Sequence, residues 1–339
     1  MRALVVEAPG LVALRDVEAP TPREDEVLVA PLVSGVCGTD LELIDGTIDP
    51  AYVRYPLTLG HEWIGELVGD VPGVASAGDR VVVEGIVPCG VCVECQRGDT
   101  NRCLTYDEIG FTRAGALAER IAVPQGLVHR LESSVSLEDA LLIEPMAVVW
   151  RALMRVPLAA GMTVCVVGDG TIALLAAHMV RLLEPSSVVV VGRRRAQETL
   201  AGLAGADEFV TATPERRFDL VIEAAGTGPA VSTALSLAAR GATVTLLGLP
   251  SHGVVVEFAP DDLVNNDQLI QGSFSYTRAA WAQVVARVNA QQLHPSFVIT
   301  HRFGLSDYAD AIATLRGHVS DDLPRGKVTV ALDSPALNS

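Results

Sequence analysis

Four cysteines fall within fifteen residues, Cys89, Cys92, Cys95 and Cys103, in the pattern C-x2-C-x2-C-x7-C. A stretch this short cannot fold around a core of its own, and two-residue spacings strain a local disulfide. Four thiolates at such intervals suit tetrahedral zinc, with Zn–S distances of ~2.3 Å. Gly90 and Gly98 between them let the backbone turn around an ion. A set closed by four protein sulfurs leaves no position for a substrate, so its expected role is structural. Paired or reactive thiols are the weaker alternative in a reducing compartment.

The chain has 339 residues, more than one compact core usually holds, so two domains are expected. Hydrophobic residues make up 49% and charged residues 19%, a globular composition that excludes disordered, collagen-like and coiled-coil chains. With 25 basic against 41 acidic side chains the net charge is −16, which repels phosphate backbones and anionic membrane surfaces alike. Nucleic-acid and membrane partners are therefore not expected. Lys327 is the only lysine, so nearly all positive charge is arginine, which is read as a bias of composition without chemical meaning. Residues 1–10 lack the basic start and apolar run of a cleavable leader. The richest apolar stretch, 161–183, is interrupted by Gly168, Asp169, Gly170 and His178, short of the ~18 residues a membrane span needs. A cytoplasmic chain is expected, in which six cysteines suggest metal or catalysis before disulfides.

The first 130 or so residues hold short β-branched runs (3–6, 26–29, 80–83) broken by Gly, Pro and Asp, the pattern of an irregular, mostly β domain. From about Gly161 strand-like runs 163–167, 187–191, 219–223 and 242–247 alternate with helical stretches 171–183 and 229–239. That alternation predicts an α/β fold with a doubly wound parallel sheet. A further strand-like run, 269–274, precedes a long helical stretch, 277–290, after which short strands return. The expected organisation is one domain in two parts, 1–148 and 286–339, interrupted by a second domain over 149–285. No internal repeat or low-complexity segment interrupts it.

A second constellation is dispersed: Cys37-Gly38-Thr39-Asp40, Gly60-His61-Glu62 and Glu144-Pro145. Alone, each has an ordinary reading: a buried small hydrophobe, a satisfied histidine, an acid at a helix start. Together they offer one thiolate, one imidazole and two carboxylates, the three or four donors that leave a catalytic zinc an open position.

The order of these motifs, from MRALVV through CGTD, LGHE, the four-cysteine lobe, IEP, a glycine-rich turn and a late ITHRF, resembles the zinc-dependent medium-chain dehydrogenase/reductase family over the whole chain. The resemblance implies a GroES-like, mostly β catalytic domain with an inserted Rossmann sheet. It also implies two zinc ions per subunit, one structural and one catalytic, the latter held by Cys37 and His61 with Glu62 or Glu144 as a further ligand. Asp40 matches the aspartate that orients the zinc-bound histidine. Thr39 matches the hydroxyl that takes the substrate proton. The usual histidine exit of that relay is replaced by Glu42, an acid shared with some archaeal glucose dehydrogenases.

Residues 164–167 lead into Gly168-Asp169-Gly170-Thr171-Ile172-Ala173, a G-x-G-x-x-A turn whose small residues let a pyrophosphate approach a helix start. About twenty residues on, where an acid would hold the ribose 2′-hydroxyl of NAD, the chain reads Gly192-Arg193-Arg194-Arg195. Guanidinium groups in place of that carboxylate favour a 2′-phosphate, so NADP is expected over NAD. An arginine run solvated at a helix start is the plainer alternative. Ala225, Gly248, Leu249, Ser273 and Phe274 match strand ends that line the nicotinamide pocket in the family, and Lys327 matches a basic residue near the pyrophosphate.

The implied reaction is zinc-assisted hydride transfer between a secondary alcohol and the nicotinamide, reversible to reduction of a carbonyl. Glu62, Glu144 and the polar loop residues Tyr106, Asp107, Glu108 and Arg113 would be costly in a pocket for aliphatic alcohols. They favour a small polar substrate, a sugar, polyol or cyclitol. Alternatives are a simple alcohol or threonine-type dehydrogenase using NAD, and a non-catalytic sensor or scaffold that binds zinc and nucleotide. Resemblance further implies a homodimer or homotetramer joined through the sheet edge, assigned to 242–247 and 269–274. Trp63, Trp150 and Trp281 fit either a pocket or a core, and Cys165 reads as a small buried hydrophobe.

Overall fold

The computed structural model describes residues 1–157 and 159–332; the last seven residues of the expected 286–339 segment lie outside them. Two compact units emerge, one of residues 1–144, 277–319 and 327 onward, the other of 145–276 and 320–326.

In the first unit the strands Leu11–Asp16, Arg2–Ala8 and Leu57–Thr58 form a small antiparallel sheet. A larger one is built on the eleven-residue strand Glu26–Val36, flanked by Glu62–Leu67 on one side and Lys327–Ala331 on the other. Its register sets Gly35 opposite both Glu62 and Thr329, and Val36 opposite Val328. Thus Cys37, Glu62 and Lys327, far apart in the chain, meet at one end of this sheet. A side chain at position 35 would collide with the Glu62 carboxylate, so glycine there leaves that group its place over the strand. Val27, Val29, Trp63, Leu67, Val81 and Val83 pack one core of the unit, and Leu4, Val36, Leu43, Leu117 and Val328 another. The helix Arg278–Asn289, capped by the Thr277 hydroxyl on the Ala280 N–H, clusters with this unit. The second unit's contacts end at Tyr276, ahead of this helix, where the sequence reading sets a boundary near Val285.

The second unit holds six parallel strands in the order Glu208–Val210, Ser187–Val191, Thr163–Val167, Phe218–Glu223, Ala238–Leu246 and Leu269–Gly272. Numbered along the chain, that order is 3-2-1-4-5-6, the doubly wound arrangement. The central strands read as unbroken β-branched runs because helices cover both faces of such a sheet. Val188, Val189, Val190, Cys165 and Val166 are accordingly all fully buried. Two expectations change. The helix predicted over 229–239 ends at Ser236, because the next strand already begins at Ala238. That strand lies inside the sheet, so of the two runs assigned to an edge only Leu269–Gly272 occupies one. All three tryptophans are buried. Among the described residues no helix is long and apolar enough to cross a membrane.

Candidate active site and nucleotide site

The four sulfurs of Cys89, Cys92, Cys95 and Cys103 lie within 4.8 Å of one another. The Cys89 and Cys95 sulfurs are 3.9 Å apart, far from disulfide bonding at ~2.05 Å. Backbone N–H groups aim inward: that of Cys89 donates to the Cys103 sulfur (3.3 Å) and that of Cys92 to the Cys89 sulfur (3.4 Å). Donors of this kind, from Val91 and Cys92, draw the Cys89 thiol down to about 6. A loop that presents N–H dipoles to several converging thiols stabilises thiolates, the form that binds zinc, and the donor set fits that ion.

The dispersed constellation also converges. Cys37, His61 and Glu62 each offer an atom within 4.8 Å of the others, with Cys37 Sγ 3.1 Å from His61 Nε2. Cys37 ends the long strand and precedes the helix Gly38–Asp45, whose first turn supplies Asp40. One Asp40 oxygen accepts the Cys37 N–H at 2.8 Å, and the other lies 3.5 Å from His61 Nδ1. Asp40 is wholly buried, so a single carboxylate holds the Cys37 backbone with one oxygen and faces the imidazole with the other. Burial alone would lower the His61 pKa, but the Cys37 and Asp40 charges hold it well above the ordinary value. The Phe111 ring packs against His61 with centroids 5.2 Å apart. One thiolate, one imidazole and one carboxylate form a donor set suited to zinc with room for an added oxygen.

Lys327 has a place the sequence reading did not anticipate. It is buried in the first unit, its Nζ donating to Glu62 Oε2. Burial would depress its pKa, but the charges of Glu62, Cys37 and Glu144 raise it, so the ammonium persists. It is the one lysine in a chain whose other 24 strong bases are arginines.

Glu144 lies outside the three-residue donor cluster. Its buried carboxyl is pushed up to about 8, first by burial and then by the Glu62 charge. Glu108, on the short strand Asp107–Glu108, is raised to about 7 by burial, with His61 opposing. The sequence reading counted it among the polar loop residues that favour a polar substrate, and it enters the electrostatics of Glu144 and His61. Glu42 is half-buried and its carboxyl raised by burial. Thr39 sits in the same helix, two residues after Cys37.

In the second unit the glycine-rich turn joins the strand Thr163–Val167 to the helix Thr171–Val180. Gly168 has φ +135°, and a Cβ there would crowd the backbone of Ala224 and Ala225 at 3.0–3.1 Å. A Cβ built on Gly170, the residue before the helix, meets nothing within 4 Å. Backbone open to space at a helix start is what a pyrophosphate requires. Gly192, Ala225, Gly248, Leu249, Ser273 and Phe274 follow the carboxyl ends of neighbouring parallel strands. Glu223 braces this edge, its carboxylate accepting the Ala225 and Gly226 N–H groups at 2.9 and 2.8 Å.

Comparison with known proteins agrees with this architecture. Residues 23–133 match the family model for the alcohol dehydrogenase GroES-like domain, and residues 170–290 that for zinc-binding dehydrogenases. An L-threonine 3-dehydrogenase of Streptomyces avermitilis is 33% identical, over 92% of this chain and 95% of that one. A sorbitol dehydrogenase of Bacillus subtilis is 28% identical over 92% of both. A Sinorhizobium meliloti structure described as a zinc-binding dehydrogenase bound to NADP superposes with TM-score 0.89, at 28% identity, over 97% of this chain and 98% of that one.

Proposed function

Because the chain belongs to the zinc-dependent medium-chain dehydrogenase/reductase family, we propose that it interconverts a polar secondary alcohol, of the sugar, polyol or cyclitol class, with its carbonyl form using NADP(H). The observation that carries this reading is the convergence of Cys37, His61 and Glu62, positioned from behind by Asp40 and Lys327, in a chain that also holds an open glycine turn.

In this reading Cys37, His61 and one of Glu62 and Glu144 hold a catalytic zinc, and the four-cysteine lobe holds a structural one. The catalytic zinc, when bound, supplies Lewis acidity that makes an alcohol hydroxyl acidic near neutral pH. The nicotinamide, when bound, exchanges hydride with the substrate carbon. The protein's own groups do the rest. Asp40 fixes the ring of His61 so that Nε2 points at Cys37 Sγ, as ligation requires. With Glu62 as the third ligand, Lys327 offsets its charge, so the donors present one net negative charge, that of Cys37, to a divalent ion. Less of the ion's charge is then neutralised by the protein. Thr39 takes the departing proton and Glu42, half-buried on the same helix, leads it outward.

Glu108 and Glu144 favour a substrate rich in hydroxyls, because a buried acid needs hydrogen-bond partners. The S. avermitilis threonine dehydrogenase keeps an amino alcohol as the second reading. The test follows the absorbance of reduced nicotinamide with sugars, polyols, cyclitols, amino alcohols, simple alcohols and their carbonyl forms, each with NADP and NAD. Turnover of the polyhydroxylated set with NADP is expected. Efficient oxidation of simple primary alcohols with inert polyols would overturn the substrate class, and higher kcat/KM with NAD the cofactor choice.

A further inference from the structure

The turn between the first two strands of the parallel sheet carries an arrangement of charge that a run of three arginines does not disclose. The Asp169 carboxylate accepts the backbone N–H groups of Arg193 and Arg194 at 2.9 and 3.0 Å. It also pairs with the Arg194 guanidinium at 3.2 Å, both side chains being nearly buried. Burial would raise the Asp169 pKa, but these donors hold it below the ordinary carboxylate value. Arg194 is thus committed to a protein partner. Its neighbour Arg193 stands exposed, fixed only by its backbone.

A third guanidinium arrives from elsewhere in the chain. Gln197 is completely buried and joins two segments: its Nε2 donates to the carbonyls of Asp169 and Arg325, the latter at 3.0 Å, and its Oε1 accepts the Arg325 N–H at 2.8 Å. The segment 320–326 is part of this unit for that reason, although 128 residues separate Gln197 from Arg325. Burial, then the charges of Arg194 and Arg193, draw the Arg325 pKa below the usual arginine value, with Asp321 and Asp169 only partly opposing. Three guanidiniums therefore lie about this turn against two carboxylates, Asp169 and Asp321, of which only Asp169 is paired with one of them, Arg194, in a chain of net charge −16. Positive charge gathered against its own repulsion is stabilised by an anion. The place is the end of the second strand, where the adenosine ribose lies in doubly wound folds.

We infer that Arg325 and Arg193 together grip the 2′-phosphate of the dinucleotide, while Arg194 and Asp169 form the rigid floor that positions them. Arg325 is thereby a specificity residue contributed by the segment just before the strand that carries Lys327. This inference rests on the NADP reading above and divides the arginines differently from it.

Calorimetric titration of the full zinc-loaded chain with adenosine 2′,5′-bisphosphate and with AMP separates the two. The unaltered protein should bind the bisphosphate more tightly. Arg325→Ala should weaken the bisphosphate by roughly 10–100-fold, as loss of a charge-assisted hydrogen bond does, leaving AMP within about twofold. Arg325→Lys should recover part of the loss, since the charge returns without the fork. Bisphosphate binding unchanged in Arg325→Ala but lost in Arg193→Ala would overturn the role of Arg325. So would an equal fall for AMP, which would mark Arg325 as structural support. Unaltered protein that binds both nucleotides alike would instead remove the NADP reading itself, and this inference with it.

Discussion

The two donor clusters of the first unit are built on opposite plans. The cysteine lobe takes all its sulfurs, and the N–H groups that stabilise them, from one loop of fifteen residues. The dispersed centre takes Cys37 from the end of one strand, His61 and Glu62 from the start of another, and Lys327 from 265 residues beyond Glu62. A local cluster closed by four thiolates has no free position, so losing it should cost folding. A dispersed cluster with three protein donors can accept an oxygen, so losing it should cost chemistry. The register of one sheet brings the second together, which makes it an outcome of the fold, whereas the first is a means of securing a piece of it.

The sharpest way to break that contrast is Cys37→Ala or His61→Ala. Turnover should fall by at least the order of 10³, the upper end for loss of a preorganised electrostatic group, with the circular dichroism spectrum unchanged. A folded variant with near-normal turnover would abolish the distinction. Next in size is Lys327→Met, which leaves the Glu62 carboxylate buried without its cation. A loss of ~3–5 kcal/mol in urea denaturation is expected, and Glu62→Gln added to it should restore part of this, since the two changes do not add. Additive losses would show that the pair is not coupled.

The lobe gives the converse. Cys103→Ser should release one zinc per subunit by elemental analysis and lower Tm by roughly 5–10 °C, at ≈ 2–4 °C per kcal/mol. The kcat/KM measured well below that temperature should change little; a parallel collapse of turnover would mean that the lobe serves the chemistry directly. The smallest effect concerns protons at the open centre. In the metal-free chain burial raises the Glu144 carboxyl to about 8, and the Cys37 and Asp40 charges raise His61 well above its ordinary value, so both groups hold their protons more tightly than usual. A ligand must shed its proton before it binds a metal, so zinc affinity there should tighten as pH rises and flatten above these values. Calorimetry of zinc binding in two buffers of different ionisation enthalpy reads the released proton. Zinc uptake at this centre with no proton release would contradict the raised values.

Much of this was legible in particular residues. The runs at 163–167 and 187–191 are apolar without alternation, and each is followed by glycine, so strand, turn and the parallel sheet follow from local chemistry. The lobe was readable from spacing, since its ligands are neighbours. Other features were not local. Strand 238–246 looked like an edge because its apolar run is compatible with either place; pairing with Leu269–Gly272 buries it. The helix Arg278–Asn289 has the same amphipathic pattern whichever unit it packs against, so its membership was decided by contact. Nothing local in the sequence paired Lys327 with Glu62, which the sheet register brings together, and Arg325 had no signal but its charge.

The sequence alone determined the element types, the glycine turn, the four-sulfur lobe and which side chains could act as ligands, because these depend on residues within a few positions of each other. Only the tertiary structure decided the pairings: Lys327 with Glu62, Arg194 with Asp169, and Arg325 with the turn through Gln197. A charge's partner is set by strand register and by what is buried beside it, and both are properties of segments that the chain brings together from 25 to 265 residues apart.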